Sequence, residues 1–302
     1  MLKILFILIL LLFSPDCVWA WGVGAHLQFG AEILGALQAL PEATAALLRA
    51  WPHDFLYGCI SADITLAKKY THHSKHCHSW RMGRKILAAA KNDAQRACGY
   101  GYLAHLAADS VAHCYFVPYK LVRTYNTVIH RHAYWEMRFE SRVPAAIWEL
   151  ARDVARRKFR QHDAMMRMVL SDTIFSFKTN KHLFNSLLLL NRLHQWQQVL
   201  RAMESSSRWR IADVDHEEYL THSVQAIFSI LNEGDDSPFF KADPTGERAL
   251  TAAAILRKNL HHLWLEGKLS TEDATLILDG LKIRFRDGVL NPDEILDLIA
   301  VT

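Results

Sequence analysis

Apolar positions along this chain recur at helical spacing almost throughout. They follow three- and four-residue steps from Ala25 to Leu40, and Pro41 opens a second such stretch that runs to Ala50. Residues 52–79 break the rhythm. They carry His53, Asp54, Asp63, His72, His73, His76 and His78 with few periodic apolar positions, which predicts an irregular polar segment of the kind that holds function. Helices are predicted again over 80–91 and 94–113 and, after Pro118, over 122–139. Amphipathic helices rich in Leu, Met, Trp and Arg occupy 145–200, and another spans 217–231. Two turn-rich breaks, Asp235-Asp-Ser-Pro238 and Asp243-Pro-Thr-Gly246, then precede helices at 247–265, 271–285 and 291–300. Strand-like alternation is scarce, so the expected fold class is all-α, a multi-helix bundle. One domain over residues 21–302 is expected, its C-terminal helices (141–302) packing on the part formed by 21–140.

The first twenty residues follow a different pattern. Lys3, an apolar run from Ile4 to Phe13 and the ending Val18-Trp19-Ala20 read as a secretory signal peptide cleaved after Ala20. No later stretch reaches membrane-spanning length without charges, so an exported protein, periplasmic or secreted, is expected. A composition of 51% hydrophobic and 22% charged residues suits a globular protein with a sizeable core. The net charge of +4 has no basic block behind it, which speaks against a stable nucleic-acid complex. Cys59, Cys77, Cys98 and Cys114 lie beyond the leader and would permit two disulfides, or thiolate ligands beside the neighbouring histidines.

Histidine is where the chemistry concentrates. Ten of the 17 histidines fall between His26 and His132. The run His105-Leu-Ala-Ala-Asp-Ser-Val-Ala-His113 sets His105, Asp109 and His113 at four-residue steps on one predicted helix. Two imidazoles and a carboxylate on one buried helix side call for a cation between them, although helical His and Asp also cap and pair without one. His132 and Glu136 repeat the four-residue pairing, which favours His132 over His130. Cleavage after Ala20 would make Trp21 the N-terminus. Its α-amino group, with a pKa near ~8, and its carbonyl could then chelate a metal that His26 completes. The remaining histidines, His162, His182, His194, His216, His222, His261 and His262, have no carboxylate at a convincing spacing and are read as structural or exposed.

Taken in order, Trp21, His26, Asp63, His78, His105 with Asp109, His113, and His132 with Glu136 resemble the zinc-dependent phospholipase C family, which is related to the single-strand-specific nucleases. The resemblance runs from Trp21 to about Glu140 and implies an all-helical exported hydrolase with three zinc ions. It implies one ion on Asp63, His78, His105 and Asp109, and a second on His113, His132 and Glu136. A third would lie on the Trp21 backbone, His26 and Asp109, with Asp109 as the bridge. His78 is preferred to His72, His73 and His76 by its fifteen-residue interval from Asp63 and by the nearby Trp80. Asp63 would serve as general base or orienting group for a zinc-bound water ionised near neutral pH. The implied substrate is a phospholipid or other phosphodiester, split to diacylglycerol and a phosphorylated head group, with peripheral membrane contact. The chain departs from the family at Ala108, which stands where members have Gly, and in the four-residue Asp109–His113 interval. It departs again at Gly24 and Ile64, where members carry an acidic and an aromatic choline-caging residue. Head-group choice is therefore open, as are a nuclease activity and a zinc-binding export protein with little catalysis.

Overall fold

The computed structural model describes residues 21–64, 77–127, 132–170, 177, 179–182, 184 and 209–295. The predicted leader and His72, His73, His76, His130 and His194 lie outside the described residues. Among the described residues every regular element is helical, as the spacing predicts.

In chain order these elements are α1 (Val23–Gly35), α2 (Glu42–Ala50), α3 (Pro52–Ser61), α4 (Trp80–Ala88) and α5 (Asp93–Val111). A π-helical turn (Ala112–Phe116) leads into α6 (Val117–Arg123), then α7 (His132–Glu140), α8 (Ala145–Arg156) and α9 (Arg160–Val169). Later in the chain come α10 (Asp213–Glu233), α11 (Glu247–Leu265) and α12 (Thr271–Asp287). None is long and apolar enough to cross a membrane.

α5 is the axis. Asn92 caps it, its side chain accepting from the Gln95 N–H at 2.9 Å. From Gly101 to Val111 every residue is buried, and a helix buried on all sides must be packed against neighbours all round. Its tightest neighbour is α3, and glycine is the reason. A Cβ at Gly58 would meet the Cys98 carbonyl oxygen at 2.1 Å, and one at Gly101 would meet that of Phe55 at 2.0 Å, so the two backbones touch directly. Two apolar clusters fill the molecule on either side. One joins α1, α5, α6, α7 and the C-terminal helices, and the other joins α3, α4, α8 and α9.

Two expectations are corrected. The segment read as irregular from residue 52 begins as helix α3, with Pro52 at its first turn and Phe55, Leu56, Cys59 and Ile60 on its buried side. His53 and Asp54 in that first turn, and Gly58 at the helix crossing, hide the periodicity. The helix predicted over 122–139 is two separate helices: α6 runs through Pro118 and stops at Arg123, and α7 begins at His132. Pro118 is tolerated because it follows the π turn, where Val117 N–H bonds to the Ala112 carbonyl and the ordinary bonding register is already shifted.

Candidate metal centre

Crossing α3 over α5 brings two ends together. Asp63, in the single 3₁₀ turn after α3 (Ala62–Ile64), arrives beside His105 and Asp109 of α5. His78, two residues ahead of α4, reaches the same place, and Tyr102 of α5 fixes it by donating to the Cys77 carbonyl at 2.8 Å. All four side chains are buried.

Their facing atoms form a compact group. His78 Nε2 lies 3.3 Å from Asp63 Oδ1, 3.2 Å from Asp109 Oδ2 and 3.0 Å from His105 Nε2. His105 Nε2 lies 3.2 Å from Asp109 Oδ2 and 4.0 Å from Asp63 Oδ1. A tetrahedral zinc with bonds of about 2.0–2.1 Å holds its ligand atoms roughly 3.3 Å apart. Four of these five separations, 3.0–3.3 Å, lie close to that value, and the fifth, from His105 to Asp63, is longer at 4.0 Å. The lone pairs also point correctly: His105 Nδ1 donates to the Cys59 carbonyl at 2.8 Å, which leaves the Nε2 of a neutral ring without a proton. Among the described residues neither Asp109 oxygen accepts a hydrogen bond of good geometry, although both are buried. A cation among these atoms supplies what burial otherwise denies a carboxylate.

Asp109 faces two ways. Its Oδ1 lies 3.3 Å from His26 Nε2, and the His26 ring stacks on that of His105 with centroids 3.8 Å apart. Burial lowers the His26 pKa to about 4, the neighbouring His105 adding to the effect, so at neutral pH the ring is uncharged and able to ligate. Burial alone would raise the Asp109 carboxyl. Electrostatic attraction to His105 and hydrogen bonding from the rings of His105, His26 and His78 carry it well below the usual carboxylate range. Trp21 sits at the same spot. Its buried indole donates from Nε1 to the Ala108 carbonyl at 2.9 Å and stacks on Phe116, which brings Trp21 beside the residue preceding Asp109.

His113 belongs to another group. Although it continues the four-residue steps of His105 and Asp109, it lies in the π turn, which rotates it toward α7. There it clusters with His132 and Glu136, whose Nε2 and Oε1 are 2.7 Å apart, and the His113 and His132 rings lie 5.1 Å apart. His113 Nδ1 donates to the Pro244 carbonyl at 2.6 Å, again leaving Nε2 toward the cluster. Among the described residues three clusters could hold a metal: Asp63, His78 and His105; His26, His105 and Asp109; and His113, His132 and Glu136.

Cysteine takes no part in these clusters. Cys77 Sγ lies 3.2 Å from His78 Nδ1 and Cys114 donates to the Asp243 carbonyl, so both thiols point away from the grouped ligand atoms, and no disulfide joins the described cysteines. Burial pushes the Cys114 thiol up to about 12. Of the histidines read as structural, His162 is paired, its Nε2 lying 2.9 Å from Asp54 Oδ1, a contact between helices that no local spacing reveals.

The orienting residues around the ligands were not legible in the sequence. Cys59 and Pro244 act through backbone carbonyls, which any residue could supply. Glu140, which takes hydrogen bonds from the start of α1, does stand four residues after Glu136 on the same helix side, and that spacing is a signal for it.

A comparison with family models matches residues 25–201 to the family described as zinc dependent phospholipase C. No curated protein and no solved structure matches the chain. Pro244, which orients His113, lies beyond the matched residues.

Proposed function

The chain belongs to the zinc-dependent phospholipase C family, a family of phospholipid-cleaving zinc hydrolases, and on that premise we propose an exported three-zinc enzyme that cleaves phospholipids to diacylglycerol and a phosphorylated head group. The observation that carries the reading is the convergence of buried ligand atoms on His78 Nε2, which lies 3.0–3.3 Å from Asp63 Oδ1, Asp109 Oδ2 and His105 Nε2.

The three clusters, two of which have His105 in common, support a reading of three ions; Asp109, with Oδ1 toward His26 and Oδ2 toward His78 and His105, is placed where a carboxylate shared by two ions would stand. Bound zinc supplies Lewis acidity toward a phosphoryl oxygen and brings the pKa of water near ~7. The protein supplies placement. His105 and His113 are held in the tautomer that turns Nε2 inward, and Asp63 would accept the hydrogen bond that orients an attacking water. Asp63, Asp109 and Glu136 neutralise only part of the positive charge of such a site, which leaves it attractive to a phosphodiester anion.

Export follows from the leader pattern, with cleavage after Ala20 releasing the Trp21 amine as a ligand next to His26 and Asp109. A soluble hydrolase of this kind meets its substrate by peripheral contact with a membrane, and no stable nucleic-acid complex is expected. Metal analysis and product assay test the proposal together. Protein starting at Trp21 should hold three zinc ions and release phosphorylated head group from phospholipid vesicles. A form with one extra N-terminal residue should lose one ion and most activity. Equal zinc and activity in the two forms would refute the N-terminal ligand, and nucleotide release from single-stranded nucleic acid without head-group release would refute the phospholipase.

A further inference from the structure

The start of α1 has no capping side chain of its own, since Gly22 occupies the cap position. Its first free N–H groups are satisfied from another helix. Glu140, the last residue of α7, is buried, and its two carboxylate oxygens accept from Gly24 N–H at 2.7 Å and from Ala25 N–H at 3.0 Å. An anion at a helix N-terminus is favoured both by these bonds and by the helix dipole. The fit is close: a Cβ on Gly22 would fall 2.3 Å from the Glu140 carboxyl carbon. The preceding residue, Phe139, packs against the Trp21 indole with centroids 4.3 Å apart. Two consecutive residues of α7 thus hold the stretch from Trp21 to Ala25, directly ahead of His26. The same short helix carries His132 and Glu136 of the other cluster.

We propose that Glu140 is a positioning residue: without being a ligand, it seats the segment bearing Trp21 and His26 against Asp109 and thereby sets zinc affinity at that site. Among the described residues Glu140 belongs to none of the three ligand clusters. The role is distinct from general stability because it acts on one metal site and leaves the rest of the centre intact. It rests on the reading of Trp21 and His26 as ligands of a third ion.

The test uses full chain expressed with its leader, the mature N-terminus verified by mass, as wild type, Glu140→Ala, Glu140→Gln and Gly22→Ala. Gly22→Ala reaches the same contact from the opposite side and serves if Glu140→Ala folds poorly. In metal-free protein, amide exchange at Gly24 and Ala25 should quicken in Glu140→Ala and Gly22→Ala and to a smaller degree in Glu140→Gln, which keeps one acceptor. Chelator competition should show one of three ions bound about 10–100-fold more weakly, with the other two unchanged. Faster exchange with all three affinities intact would overturn the positioning role, as would unchanged exchange. A wild type that loads only two ions would overturn the three-ion reading and this inference with it, whereas a three-ion wild type with unaltered variants would overturn this inference alone.

Discussion

Replacing Gly101 by alanine tests whether the close crossing of α3 and α5 is what aims His105. A Cβ there would lie 2.0 Å from the Phe55 carbonyl oxygen and 2.8 Å from the Cys59 backbone nitrogen. Carbon–oxygen contacts of this kind settle at roughly 3.3 Å, so the helices must part by about 1 Å where no side-chain rotation can relieve the clash. The Cys59 carbonyl, now 2.8 Å from His105 Nδ1, would move beyond hydrogen-bond reach. Overpacking costs about 1–3 kcal/mol, and leaving the imidazole N–H buried without its acceptor costs ~1–3 kcal/mol more. Together these give a loss of about 4 kcal/mol, or a fall in Tm of roughly 8–16 °C for a chain of this size. Zinc affinity should drop about 10–100-fold, because the partner that orients a ligand is lost. Thermal melts of chelator-treated protein and competition titration with a chelator measure the two effects. Gly280→Ala is the control, since a Cβ at that position in α12 meets nothing within 4 Å; it should melt slightly higher, alanine gaining up to ~1 kcal/mol over glycine in a helix. A Gly101→Ala protein that melts within about 2 °C of wild type, where ~4 °C per kcal/mol is the upper scale, and that keeps its zinc affinity would refute the reasoning.

Two further outcomes are expected. Gly246 has φ +59°, and a Cβ on it would fall 2.3 Å from the His113 carbonyl oxygen and 2.4 Å from its Cβ; Gly246→Ala should therefore destabilise by about 1–3 kcal/mol and weaken metal binding at His113, His132 and Glu136 while sparing the other two clusters, as metal analysis would show. His216 stacks on Phe139, and burial, with Arg142 adding to it, holds its pKa near 4. Between pH 6.5 and 4 the unfolded state therefore takes up a proton that the folded state refuses, so stability falls as pH falls through that window. His216→Phe should flatten part of this slope in denaturant unfolding at pH 7 and pH 5, and an identical slope would exclude His216 as a contributor.

The candidate ligand types and their pairings were visible because helices repeat. Four-residue steps tie His105 to Asp109 and His132 to Glu136 whatever the fold does, and the structure keeps both pairs in contact. The same rule fails at His113, where the π turn changes the register and no single residue announces it. It fails again at Pro52–Ser61, whose apolar side shows only once the glycine crossing with α5 is known.

By itself the sequence determined the all-helical class, the concentration of imidazoles and carboxylates in the first 140 residues, and the family resemblance, since all of these are local or linear properties. Only the tertiary structure decided which ligand faces which, that Asp109 looks toward His26 with one oxygen and toward His78 and His105 with the other, and that Cys59, Pro244 and Glu140 hold the arrangement in place. Cys59 and Pro244 act through backbone carbonyls, which any residue supplies, and although Glu140 keeps the four-residue step from Glu136, its partners lie more than a hundred residues away, where no period points.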